Sequence, residues 1–262
     1  MSIPKYALAA FTTAAFFLSN LAAVTSASYK SPAFRTPQTP KLSPPLKRDS
    51  TLIDISPPDS LSSQAILIND RGFVVGTFQL PDAGSDTHTF FYRNGTTTDT
   101  GTLGGVSMER PVDLNNRGDI VGISSDFDRR AFLYTDGQLI DIGDLGGPES
   151  FASAINERGD VVGWSIFLSD TESHAFLYRN GEMIDLGTLL GLNAEGDESQ
   201  ARDINDRGDV VGDSTSTEIF GPDHAFLYQN GEMIDLGTLG GSFSSATLIN
   251  NRGDIAGISN LA

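Results

Sequence analysis

The chain has 262 residues, no Cys and a formal net charge of −17. The lack of Cys excludes a disulfide-stapled scaffold, so an ordinary apolar core must stabilise the fold. From Thr51 onward there are eleven Arg, no Lys and thirty-three Asp and Glu, a charge of −22 that repels phosphate backbones and argues against nucleic acid as a partner of the folded region.

The opening residues differ from the rest. Met1 to Tyr6 carries a single Lys, Ala7 to Val24 is largely apolar and uncharged, and Thr25-Ser26-Ala27 are small residues that suit leader-peptidase cleavage. Residues 1–27 therefore read as a signal peptide, with a retained membrane anchor as the alternative. Residues 28–42 are rich in Pro and basic residues and read as a linker, and residues 43–262 as one domain. The expected location is secreted, extracellular or periplasmic, with no membrane contact after leader removal. A monomer is expected.

Beyond the linker, internal repetition dominates. An apolar residue followed by Asn recurs at Ile68-Asn69, Leu114-Asn115, Ile155-Asn156, Ile204-Asn205 and Ile249-Asn250, at intervals of 46, 41, 49 and 45 residues. Each pair leads into x-Arg-Gly and then an apolar pair with Gly. That spacing predicts a first strand, a tight turn closed by a left-handed Gly, and a second strand. A second half-motif runs from His174 to Gly187 and nearly unchanged from His224 to Gly237, with relatives at Arg130 to Gly143 and His88 to Gly101. Its Asn94-Gly95, Asp136-Gly137, Asn180-Gly181 and Asn230-Gly231 pairs are the type I′ signal for a two-residue hairpin.

Each unit thus predicts four short antiparallel strands, a to d, with a variable loop between b and c. Such units are the blades of an all-β propeller, here of about five four-stranded blades. The chain ends after strands a and b of a unit (Ser244 to Ser259), while Arg48 to Ser56 aligns with Arg179 to Gly187. The last blade is therefore expected to close with strands from both termini, which would leave no unpaired edge.

At His-Ala-Phe and Asp-Leu-Gly-Thr-Leu-Gly-Gly the sequence resembles the HAF repeat family of extracellular repeat proteins, from about Leu46 to Asn260. It departs from that pattern at Arg130, Thr89, Phe91 and Leu190. The resemblance implies an exported repeat protein and no particular chemistry. The spacing of strand pairs is also similar to that of kelch propellers, which are mostly binding scaffolds.

Three sets of polar residues invite functional readings. His88, His174 and His224 share one repeat position, and Asp54, Asp99, Asp141, Asp185 and Asp235 share another. Such regularity points to structural hydrogen bonds repeated around a ring rather than to one catalytic group. Asp113 and Asp203 do not repeat. They stand where other units have Leu67, Ala154 and Leu248, and they carry the alternative reading of a glycosidase acting on polysaccharide, whose two carboxylates must sit about 5 to 9 Å apart. The favoured reading is a non-catalytic scaffold that binds a glycan or protein through its variable loops. Candidate ligand contacts there are Asp126, Asp128, Asp170, Glu172 and Asp223; Trp164, the only Trp, follows the strand-b Gly and reads first as a core plug, with a sugar-stacking platform as the alternative. No cofactor is called for; the one metal considered is Ca²⁺, with Asp197 and Glu198 as its candidate ligands beside Asp223.

Overall fold

Short runs of β-branched and aromatic residues punctuated by Asn-Gly and Arg-Gly turns build every named element of the computed structural model. It describes residues 52–81, 87–103, 110–125, 129–167, 172–191, 196–216 and 221–262. The strands lie in the compact unit that holds Ile55–Ala262. The first blade is β1 (Ser62–Ile68), β2 (Val74–Gln79), β3 (His88–Arg93) and β4 (Thr96–Asp99). The second is β5 (Arg110–Leu114), β6 (Ile120–Ser125), β7 (Arg129–Thr135) and β8 (Gln138–Asp141). The third is β9 (Gly146–Ile155), β10 (Val161–Phe167), β11 (Ser173–Arg179) and β12 (Glu182–Gly187). The fourth is β13 (Ser199–Ile204), β14 (Val210–Thr215), β15 (Asp223–Gln229) and β16 (Glu232–Gly237), and β17 (Gly240–Ile249) pairs with β18 (Ile255–Leu261) as a half-blade.

Within each sheet the strands follow chain order and pair antiparallel. The first strands of successive sheets pack on one another, β1 on β5, β5 on β9, β9 on β13 and β13 on β17. Sheets arranged in this way, with their first strands innermost, make a multi-bladed β-propeller. The core lies between blades. Val121, Leu133 and Ile142 of the second blade meet Ala152, Ile155, Val161 and Phe176 of the third. Val162, Leu177 and Leu186 of the third meet Ala201, Ile204, Val210 and Phe226 of the fourth.

Both kinds of turn take the conformations their residues predict. Asn94, Asp136, Asn180 and Asn230 have φ of 54, 50, 55 and 56°, and the Gly after each is also left-handed, as a type I′ turn requires. Every first strand carries a bulge, at Ala65/Leu67, Pro111/Asp113, Ala152/Ala154, Ala201/Asp203 and Ala246/Leu248. Opposite each bulge stands the Gly of strand b. A Cβ on Gly163 would lie 1.9 Å from the Phe151 carbonyl oxygen and 2.9 Å from the Phe176 ring, and Gly76, Gly122 and Gly212 meet equivalent atoms. The Gly that ends each apolar pair is therefore required by close approach of a backbone and a buried ring.

The closing blade departs from expectation. Described residues 52–56 form no strand, so Asp54 lies outside any sheet, and β17 and β18 form a two-stranded sheet among the described residues. The Ile55 carbonyl accepts instead from the Thr97 hydroxyl on β4, and Pro57 and Pro58, which follow, have no N–H to give a ladder. Residues 46–51, the rest of the expected strand, lie outside the described residues, as do residues 1–27 and 28–42.

Candidate functional site

Besides the apolar core, one repeated residue ties each blade to the next by hydrogen bonds. Each turn Asn uses its side-chain oxygen to accept from the backbone of its own turn, as Asn156 does from Arg158 and Asp160. Its amide then donates to the carbonyl of the corresponding Asn in the next blade. This runs from Asn69 to Asn115, Asn115 to Asn156, Asn156 to Asn205 and Asn205 to Asn250, at 2.8 to 3.3 Å. A parallel ladder joins the next residue along: the N–H groups of Asp70, Asn116, Glu157 and Asp206 donate to side chains of Asn116, Glu157, Asp206 and Asn251.

The repeated His and Asp meet each other. Nδ1 of His88, His174 and His224 lies 3.0 to 3.1 Å from the carboxylates of Asp99, Asp185 and Asp235. Those carboxylates, and that of Asp141, also accept from the N–H of the Gly two residues on. Where Arg130 replaces the His, its guanidinium pairs with Asp144.

His174 differs from its counterparts in being fully buried, and its Nε2 lies 3.5 Å from Oδ1 of Asp197, also fully buried. Burial pushes the imidazolium towards neutrality. The hydrogen bond and charge of Asp185, joined by the charge of Asp197, outweigh that and hold the pKa above the usual histidine value. Asp197 also takes the hydroxyl of Thr188, so this proposed calcium ligand faces inward. Glu198 and Asp223 do approach each other, beside Asp213. Burial first, and then the neighbouring acid, raises the pKa of both. Among the described residues no group of three or more His, Asp or Glu is arranged to hold a metal. Glu172 accepts from the Gly196 N–H at 3.0 Å. Asp126, Asp128 and Asp170 lie outside the described residues.

Asp113 and Asp203 stand on the first strands β5 and β13, near enough for the charge of one to act on the other. Burial raises both pKa values, and the charge of Asp113 adds to the rise at Asp203. Each carboxylate is spanned by backbone N–H groups. Asp113 accepts from Leu114 at 2.8 Å and from Ile155 of the next blade at 2.9 Å; Asp203 accepts from Ile204 at 2.8 Å and from Ile249 at 2.7 Å. Trp164 is half-buried and has one face stacked on Phe151 at 3.9 Å, which leaves that face closed to a ligand.

A cavity lies elsewhere, between the first and second blades at the face of the tight turns. It measures about 890 Å³ and is lined by Phe91, Tyr134, Arg93, Arg117, Thr96 and Thr98, with turn residues of both blades. The face of the b-to-c loops, singled out by sequence variability, is the opposite one. One sequence difference marks the first blade beside this cavity, where Arg93 lies over the Phe73 ring. The first unit has Phe73 where the other units have Asp119, Asp160, Asp209 and Asp254.

No protein-family profile matches the chain, and no curated protein does. Solved structures do. The propeller domain of the Trilobed protease from Pyrococcus furiosus, described as having an open velcro topology, aligns over 68% of this chain and 55% of its own, at 13% identity and a TM-score of 0.47. TolB from Acinetobacter baumannii aligns over 74% and 49%, at 14% identity and 0.44, and the acylaminoacyl peptidase of Pyrococcus horikoshii over 67% and 27%, at 13% and 0.45. The chain thus spans between about a quarter and a half of their lengths. The likeness is one of fold.

Proposed function

We propose that the chain is an exported, monomeric, non-catalytic binding scaffold of HAF-repeat type, with its ligand seated between blades. The observation that carries this reading is the use made of its acids. Asp113 and Asp203, the two that break the repeat, spend their carboxylate oxygens on backbone N–H groups that join one blade to the next. The repeated Asp residues serve His side chains and Gly N–H groups in the same way. A ligand cavity of about 890 Å³ with aromatic and polar walls fits a glycan or short chain segment. The composition of residues 1–27 supports export.

The runner-up is a glycosidase, favoured only by the raised pKa values of Asp113 and Asp203. Incubating the purified protein with plant and bacterial polysaccharides decides between the two. Binding without release of reducing ends supports the scaffold. Hydrolysis lost in Asp113→Asn and Asp203→Asn establishes the enzyme.

A further inference from the structure

One cation in the cavity is set apart by what its counterparts do. The residue at the end of strand c is Thr135, Arg179 or Gln229 in blades two to four. Each bonds the turn Asp of its own blade: Thr135 to Asp119 at 2.6 Å, Arg179 to Asp160 at 2.9 Å, Gln229 to Asp209 at 2.8 Å. In the first blade the equivalent residue is Arg93, and the turn Asp is replaced by Phe73. The Arg93 guanidinium lies over the Phe73 and Phe91 rings, 5.8 Å from each centroid. Among the described residues no carboxylate pairs with it. Its neighbour Arg117 is held by Asp119 at 2.7 Å and by the Arg158 carbonyl at 3.1 Å. Arg93 is thus a planar cation, seated on aromatic rings, exposed to the cavity and unneutralised in a chain of net charge −17.

We propose that this cavity is a binding site for a uronate-containing glycan, with Arg93 taking the sugar carboxylate. The proposal rests on the reading of the chain as a binding scaffold and names its ligand class. Guanidinium and carboxylate match as a bidentate pair, the strongest contact available here. Phe91 and Tyr134, both buried, meet edge to face at 6.2 Å and give the cavity a firm apolar floor beneath Arg93. The Thr96 and Thr98 hydroxyls and the Asn94 amide also line the cavity and suit sugar hydroxyls, while the Asp136 carboxylate there accepts from hydroxyls but repels a second anion. A ligand with spaced carboxylates and many hydroxyls fits that set better than an acidic peptide does.

Calorimetric titration of the purified chain with tetragalacturonate, its methyl ester and galactotetraose tests this. Tetragalacturonate is expected to bind most tightly, and Arg93→Gln to weaken it roughly tenfold or more while leaving the ester and the neutral sugar unchanged. Arg93→Lys should recover part of the loss. Phe73→Asp restores the turn carboxylate of the other blades, so it should also weaken tetragalacturonate by consuming Arg93. Because it alters a buried ring, the exposed Arg93 variants carry the decision if it fails to fold. Binding of the neutral sugar or ester equal to that of tetragalacturonate, or binding indifferent to Arg93→Gln, overturns the carboxylate assignment and leaves the scaffold reading intact. No binding of any of the three overturns the proposal. Cleavage of tetragalacturonate overturns the scaffold reading itself.

Discussion

The side-chain amide of Asn156 crosses the blade boundary and donates to the carbonyl of Asn205 at 3.1 Å, while its other hydrogen goes to Asp160 at 2.9 Å. Both neighbours are buried, so truncation strands polar groups on two blades at once. Asn156→Ala should cost about 2–4 kcal/mol, the sum of lost bonds and unsatisfied groups. The Asn250 amide, at the end of the ladder, donates to Asp254 alone among the described residues and is exposed, so Asn250→Ala should cost about 1 kcal/mol or less. Urea titration of the two variants checks this; equal losses would show that the ladder contributes nothing across blades.

Two glycines separate close approach from backbone strain. Gly163→Ala drives a methyl group into the Phe151 carbonyl and the Phe176 ring, and should cost roughly 3 kcal/mol or more. Gly181 has φ of 86° and open space around it, so Gly181→Ala should cost about 1–2 kcal/mol from the left-handed backbone alone. If thermal unfolding shows the same loss for both, the bulge contact is not what selects Gly in strand b.

The buried His174 makes stability depend on pH in a defined direction. Its folded pKa is raised, so the stability it contributes is complete below the ordinary histidine pKa and is lost as pH rises through the folded value. Asp160 and Asp209 act at the other end. Burial alone would raise both, but the hydrogen bonds from Arg179, Asn156 and Arg158, and from Asn205, Gln229 and Arg207, hold them down. Their contribution is present above the ordinary carboxylate range and falls away as pH drops through their folded values. The unfolding temperature should therefore decline on both the acid and the alkaline side. His174→Gln should flatten the alkaline decline and leave the acid one; an unchanged alkaline limb would mean that His174 is not its source.

Asp113 and Asp203 should prove structural. Burial, partly offset by the backbone N–H groups, leaves their folded pKa values above the ordinary one, so ionising them weakens the fold as pH rises through that interval. Asp113→Ala leaves the Ile155 N–H without its acceptor and should lower stability by about 1–3 kcal/mol. Ligand binding at the cavity should be unaffected in the folded fraction. A variant of full stability that loses a polysaccharide-directed activity would reverse this assignment.

Much of this molecule follows from the sequence alone. The recurrence of Asn-x-Arg-Gly and Asn-Gly at fixed offsets dictates hairpins, because positive φ and Asx bonding are local demands that few residues meet. Four such runs per unit dictate a blade. The pairing of His88, His174 and His224 with Asp99, Asp185 and Asp235 lies eleven residues along one hairpin and is local in the same sense. Three things were decided only by tertiary structure. The Asn ladder and the backbone bonds of Asp113 and Asp203 join residues more than forty positions apart, at distances set by how one sheet packs on the next. Residues 52–56 match a strand in sequence but form none; the Ile55 carbonyl is taken by the Thr97 hydroxyl of the first blade, and Pro57 and Pro58 follow at once. In the cavity between the first two blades, Phe73 stands in place of a turn acid and Arg93 lies over its ring, without the partner its counterparts have. A single substitution in a repeat is legible from the sequence, but the cation it releases and the space in front of it appear only when two blades are packed side by side.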